Sequence, residues 1–421
     1  MVTAIECALA GHRVTLLDRG PIPNPASTSA DQHRALRVRR PGDPVLTARM
    51  ADARKRWLGL ESVLGTEFLR LVGIVTAWPV EDAEGELVEL PHVVFPGGTV
   101  GVLDPDAGVL LADKFLHAAA RWLADHPAVS VRPECSVRYV ADHWVSLSDG
   151  TALGADAVVV AAGPWSRDLV DVPVALFRQT MVYLRPPADL ASWWETAPGV
   201  GGLGADGRAW LLPPGEGTLL KISSDVVCRK VDSTTDGDLE SWGDWLPAAP
   251  RAARPPATPH TTPPQDQGTD PLAQRQEGPL HDIQRQEGPL HDVQRQYGAL
   301  HDTKKRQERR FHPTQRQDRV LPGVSADAWR AERSPLPARA GRLPDLPWAE
   351  RLLAEPILSE LDRYTVVAVR ECHYAAAPDT GGPLLIHPRP GLWVRPACGG
   401  SGFAAAPLVA NTIVEAMEAS A

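Results

Sequence analysis

Four short stretches hold residue types from which chemistry can be built. The chain opens with MVTAIECALAGHRVTLLDRG. This reads as a helix, a tight turn and a strand ending in Asp18, the second half of a βαβ nucleotide-binding unit. In such a unit glycines and a helix N-terminus hold the pyrophosphate, and an acid at the end of the second strand bonds the ribose hydroxyls. QHRALR sets Arg34 and Arg37 three residues apart. A guanidinium fork suits a carboxylate because it donates two parallel hydrogen bonds. With Arg39 and Arg40 alongside, the run also reads as a solvated basic stretch. TLLKISSD carries Lys221 in a strand-like setting. RECHY spaces Cys372 and Tyr374 two apart, on one face of a strand, where a cysteine also reads as a small buried hydrophobe.

The elements that must position these residues follow from periodicity. Residues 2–10 put Val2, Ile5 and Leu9 on one helical face, and Gly11 ends that helix. RVTLLD is a short strand, followed by the Pro-rich turn GPIPNP, a polar stretch and a helix over 44–62. LVGIVTAW reads as a strand and LADKFLHAAARWLADHP as an amphipathic helix. SVRPECSVRYV and WVSLSDGTALGADAVVVAAG read as strands; DAVVVAAG is apolar throughout, as expected of a strand covered on both faces. A glycine-rich turn and an amphipathic helix close the chain. Strands alternating with helices at both ends predict an α/β architecture. GVGGLG at 199–204 matches G-x-G-x-x-G formally, but no clear strand precedes it and ADG cannot open a helix, so a loop is expected.

Composition bounds the rest. With 421 residues, 43% of them hydrophobic, a sizeable core can form. A formal net charge of −9 argues against nucleic acid or an anionic membrane as partner. The five cysteines are scattered and lack CxxC spacing, so neither a disulfide framework nor a metal site is expected, and a reducing cytoplasm fits. No signal peptide and no membrane span are expected. Proline, at 41 residues, is roughly twice its usual ~5%. Much of it lies in 247–345, which contains the decamers QRQEGPLHDI, QRQEGPLHDV and QRQYGALHDT. These carry too few apolar residues to offset chain entropy, so a disordered, low-complexity insertion is expected. Nothing fixes the geometry of its Asp/His pairs as a metal array.

A family resemblance joins the stretches. LLDRGPIPNPASTSADQHRALRV, VVVAAGPWSRDL, FRQTMVYLRPP and RECHYAAAPDTGGPLLIHPRPGLWVRPACGGSGFAAAP, in that order, resemble segments of the FAD-dependent amine oxidases of the D-amino-acid oxidase superfamily, especially the sarcosine oxidase branch. The likeness covers roughly 1–230 and 348–421. It implies a Rossmann-like FAD-binding domain (1–72, 140–170 and 378–421) interleaved with an α+β substrate domain built on an antiparallel sheet (73–139, 171–246 and 346–377). In the family the opening helix follows a strand and G-x-G-x-x-G, and Met1 falls just after the last of those glycines. Either the start is set too late or the chain is truncated there, and a true truncation is expected to bind FAD poorly or not at all.

The resemblance also implies roles. Asp18 and Arg19, with Ala162, Gly163 and Trp165, would lie beside the FAD adenosine. Gly399, Gly400, Ser401, Gly402 and Phe403 would line the flavin. Arg34 would pack near the flavin ring and Arg37 would pair with a substrate carboxylate. Lys221 would sit near flavin N5 and support reaction with O2. Cys372 would carry a covalent thioether to the flavin, and Tyr374 would stand in the active site. Two departures weaken the sarcosine-like assignment: Asp225 stands where the branch has a histidine, and Ala404 where it has a carboxylate-binding lysine. The implied reaction takes a hydride from the carbon beside the nitrogen of a small amine or amino acid, leaving an imine for water to hydrolyse. O2 then regenerates the flavin and yields H2O2. A monomer is expected. Two other readings stand beside it: a non-catalytic paralogue, and a flavin dehydrogenase with another electron acceptor.

Overall fold

A computed structural model describes residues 1–234, 239–245 and 347–420. The repeat and the expectation attached to 247–345 lie outside the described residues. Residues 1–257 and 336–421 group into one unit.

The first half of that unit opens with the helix and strand that the sequence implies. Helix Val2–Leu9 buries Val2, Ala4, Ile5, Cys7 and Ala8, and Gly11 turns the chain at φ +91°. Strand Val14–Leu17 then pairs in parallel with Val129–Arg132. A second parallel pair sets Val158–Val160 against the start of Leu392–Ala397. Parallel neighbours require crossover connections that cover the sheet. Here helices Ala112–Asp125 and Ala406–Ser420 both pack on Val2–Leu9. The long helix Pro44–Leu64 is bounded by local chemistry: Asp43 accepts from the Leu46 N–H at 2.8 Å, Pro44 opens the first turn and Gly65 closes it in the left-handed region, as capping rules require.

The second half is a nine-stranded sheet. Its order is Leu239–Trp245, Thr365–Ala376, Ala175–Arg185, Leu220–Val231, Ala209–Leu212, Gly199–Leu203, Ile74–Pro79, Thr99–Asp104 and Glu86–Val88. All neighbours are antiparallel except Gly199–Leu203 beside Ile74–Pro79. The fold is thus mixed α/β with a large antiparallel sheet, as expected. One sequence expectation is corrected: GVGGLG is a strand, not a loop. Its glycines weaken strand propensity, but backbone partners on both sides decide the matter. Glycine is favoured there at Gly202, which sits at φ +78° with a Cβ position 3.0 Å from the Ala77 carbonyl oxygen, while Gly201 lies under the Arg37 guanidinium.

Trp57 anchors the core between the helices. It is fully buried, edge-on to Phe115 at 4.9 Å and to Phe68 at 5.9 Å, and stacked on Phe403 at 5.6 Å. Its indole N–H donates to the Ala404 carbonyl at 2.8 Å. Trp57→Ala should cost about 3–5 kcal/mol, the range for emptying a large aromatic site, read as a lower melting temperature. A loss below about 1 kcal/mol would mean that the surrounding side chains collapse into the space. Among the described residues no helix is long and apolar enough to cross a membrane.

Candidate active site

One face of the large sheet collects three of the sequence candidates, Lys221, Cys372 and Tyr374. Alternation along Ala175–Arg185 puts Phe177, Gln179, Met181 and Tyr183 on a single side. The register extends this face to both neighbouring strands. Tyr374 lies opposite Phe177, Cys372 and Cys228 flank Gln179, and Lys221 lies opposite Tyr183. Tyr374 stacks on Phe177 at 5.3 Å and its hydroxyl lies 3.3 Å from the Cys228 Sγ. Burial, reinforced by Cys228, raises the Tyr374 phenol well above its usual value. It therefore stays protonated. Cys372 is buried among Met181, Tyr183 and Ala368, with Trp210 and Leu219 packed against them.

The loop before the short strand Arg34–Leu36 closes over this face. The Thr28 hydroxyl donates to the His373 carbonyl, and Arg370 donates to the carbonyls of Ala30 and Ser27. QHRALR and RECHY, some 340 residues apart, are thereby brought together. At the junction Asp31 is buried. It accepts from the Lys221 Nζ at 2.8 Å, from the Tyr183 hydroxyl at 2.8 Å and from Arg34. Lys221 also donates to the His33 carbonyl at 2.5 Å and lies 5.7 Å from the Trp210 ring centroid.

The electrostatics of this cluster are lopsided. Burial opposes ionisation of Asp31, yet Arg34, Lys221 and Arg370 overcome it and hold the carboxyl well below its usual range. Burial lowers the Lys221 ammonium to about 8, with Asp31 acting against it. Burial and the Lys221 charge take His33 to about 3, so its imidazole is neutral. Arg34, Lys221 and Arg370 thus act together on Asp31. Neither ring nitrogen of His33 has a hydrogen-bond partner among the described residues. Two of the three Lys221 donors are engaged. These free donors and the Lys221 charge fit a flavin ring system, which offers several acceptors and takes up negative charge when electrons arrive.

Arg37 stands apart from that cluster, over Gly201. Its Nε has no partner among the described residues. Burial, and then Arg40, lower its guanidinium, while Asp225 pulls the other way. Asp225 itself lies 3.5 Å from the Arg208 Nε, and burial raises its carboxyl. Ala404 is buried in the cluster around Trp57.

The remaining candidates lie at the carboxyl ends of the parallel strands, where open α/β sheets bind ligands. Asp18 Oδ1 accepts from the Gly20 N–H at 2.9 Å and the Asn24 amide at 2.7 Å, which holds its own turn. Arg19 lies over the Trp165 ring at 4.4 Å. Trp165 belongs to the helical turn Gly163–Asp168, capped by Ala162, with Gly163 in the left-handed region. In that turn the Ser166 hydroxyl is buried without a partner among the described residues. Gly399, Gly400 and Ser401 form a second helical turn, after strand Leu392–Ala397. Gly402 packs so closely on Cys398 that a Cβ there would collide with the Cys398 Cβ. Phe403 stacks on Trp57 and meets Arg34 at 5.9 Å on the other side.

Sequence reasoning missed Asp31, His33 and Tyr183. Asp31 was within reach, as the one acid in the segment that carries Arg34 and Arg37.

Comparison with known proteins agrees with this geometry. Residues 1–251 match the family model described as FAD dependent oxidoreductase. Peroxisomal sarcosine oxidase of Mus musculus is 24% identical over 231 residues, 47% of this chain and 55% of that protein. The Homo sapiens protein is 24% identical over 224 residues. The chain thus spans about half the length of the curated relatives it matches. Among solved structures, amadoriase I of Aspergillus fumigatus, a fructosyl amine:oxygen oxidoreductase, superposes with a TM-score of 0.55 at 18% identity, covering 99% of this chain and 83% of that one. The fructosamine oxidase amadoriase II of the same organism gives 0.60 at 16% identity, covering 100% and 84%. At such identities the likeness concerns the fold.

Proposed function

This chain belongs to the FAD dependent oxidoreductase family, and from that premise we propose that it oxidises the C–N bond of a small amine or amino acid with O2 as electron acceptor. The observation that carries the reading is the buried Lys221–Asp31–Arg34 cluster set into the same sheet face as Cys372 and Tyr374. The chemistry supplied by bound FAD is two-electron oxidation at the carbon bearing the substrate nitrogen. The protein supplies position, charge and exclusion of water.

Asp18 keeps Oδ2 for the ribose hydroxyls while Oδ1 holds the turn. Arg19 and Trp165, with Ala162 and Gly163, would hold the adenosine. Gly399, Gly400, Ser401 and Gly402 would let the backbone approach the flavin, and Phe403, 5.9 Å from Arg34, would brace that arginine. Cys372 would hold the cofactor covalently through its sulfur. Arg37 takes the substrate carboxylate, since its Nε awaits a partner. With Ala404 in the core, no lysine helps it from that side. Tyr374 and Phe177 wall the amine side with a neutral phenol, and Lys221 presents a positive charge where O2 is reduced. A peroxisomal sarcosine oxidase and a fructosyl amine oxidoreductase as relatives support an amine substrate.

The test begins with colour. The purified protein, supplied with FAD if necessary, is expected to show the visible flavin band and to release H2O2 with a small amine or amino acid. After acid precipitation the colour is expected in the pellet, and for Cys372→Ser in the supernatant. Wild-type colour wholly in the supernatant rejects the thioether and leaves the oxidase reading standing. Failure to bind FAD at all rejects the oxidase reading and favours a non-catalytic paralogue.

A further inference from the structure

We propose that Asp31 is a positioning residue that keeps Lys221 charged and aimed, so that the oxygen reactivity of the site is set by the Asp31–Lys221 pair. The inference rests on the reading of Lys221 as the cation that O2 meets. It goes beyond that reading by assigning a partner on which the cation depends.

The geometry makes the dependence specific. Lys221 is 1% exposed, so water cannot stabilise its charge. Every element packed around it offers a different influence. The loop before Arg34–Leu36 contributes Asp31, the neutral His33 ring and the Arg34 cation. Strand Thr365–Ala376 contributes Cys372 and, on the far side of Asp31, Arg370. Strand Ala175–Arg185 contributes the Tyr183 phenol, which donates to Asp31 rather than to Lys221. Strand Ala209–Leu212 contributes only the Trp210 ring. Asp31 is therefore the one full negative charge that touches the ammonium among the described residues.

Asp31 is also held rigid. Tyr183 fixes Oδ1, while Lys221 and Arg34 share Oδ2. The main-chain N–H of Gln32 donates to Oδ1 at 2.6 Å. A carboxylate so restrained directs Lys221 toward the sheet face and leaves one N–H for a ligand. With Asp31 in place, the ammonium titrates at about 8, so most of it is charged at neutral pH. An opposite charge within contact distance is worth about 1–3 pKa units. Removing it should leave at least about half of Lys221 neutral at neutral pH.

The experiment compares Asp31→Asn, Asp31→Glu, Lys221→Met and the double variant Asp31→Asn/Lys221→Met. The first readout is the rate at which the chemically reduced FAD-bound protein reacts with O2, measured from about pH 5.5 to 9. At about pH 7.5, Asp31→Asn should react roughly 3- to 30-fold more slowly, from a shift of about 1–2 units. The rate should return below about pH 6, and Asp31→Glu should recover part of it. A structural defect would lower the rate at all pH values alike. The second readout needs no cofactor: the melting temperature of each variant. Asp31→Asn strands a buried cation and should melt low or fail to fold. Removing Lys221 as well should raise the melting temperature above that of the single variant, the signature of a coupled pair.

An unmoved pH profile in Asp31→Asn overturns the inference. So does a double variant no more stable than Asp31→Asn, or one that fails to fold where Lys221→Met folds. If Lys221→Met reacts with O2 as fast as wild type, the reading of Lys221 fails and takes this inference with it. If Lys221→Met is slow while the Asp31→Asn profile is unmoved, only the assignment of Asp31 fails.

Discussion

Lys221→Met should react with O2 on the order of 10²- to 10³-fold more slowly than wild type, the usual cost of removing one preorganised charge from a site where charge develops. Reduction by substrate and turnover with an artificial electron acceptor should stay near wild type. The separation between the two half-reactions is the test, because damage to the fold would slow both. The pH dependence has a definite sign. Burial has lowered the folded-state ammonium from its usual value to about 8, so the charge that O2 meets is present below that pH. Oxygen reactivity should therefore fall as pH rises through about 8. Stability runs the opposite way: over the window from about 8 to the unfolded-state value the unfolded chain binds more protons, so stability should rise with pH. Both trends should vanish in Lys221→Met. An unchanged rate with O2 would favour the dehydrogenase reading, in which another acceptor removes the electrons.

Arg37→Ala should raise KM for a carboxylate-bearing amine about 10- to 150-fold, the loss of roughly 1.5–3 kcal/mol for hydrogen bonds to a charged partner. The effect should fall on KM more than on kcat, since the contact is made equally before and during the reaction. An amine without a carboxylate should be handled alike by both proteins. If both substrates lose equally, Arg37 matters through its packing over Gly201. If neither does, its assignment as the carboxylate partner is wrong. Arg37→Lys should recover little, because an ammonium cannot reproduce the two parallel donors of a guanidinium.

Much of the architecture was legible in the chain. The helix at 2–9, the strand ending at Asp18 and the capped helix at 44–64 carry their own signals: apolar spacing, a left-handed glycine, an aspartate before a proline. The pairing of Cys372 with Tyr374 on one face follows from strand alternation alone. GVGGLG misled because its flanks ruled out a nucleotide-binding turn and a loop was then expected, whereas backbone partners on both sides make it a strand. Ala404, which the resemblance aligns with a carboxylate-binding lysine, is buried in the cluster around Trp57.

By itself, then, the sequence determined the opening helix and strand, the start of the long helix at Pro44, which residues share a strand face, and which side chains carry usable charge. Those properties depend on neighbours a few positions away. Tertiary structure alone decided that Asp31, Tyr183 and Lys221 meet, that His33 is left neutral with no partner among the described residues, and that Arg34, Lys221 and Arg370 all act on the Asp31 carboxylate. Charge state in a buried site depends on desolvation and on distances between groups brought together from separate strands, and no local pattern encodes either.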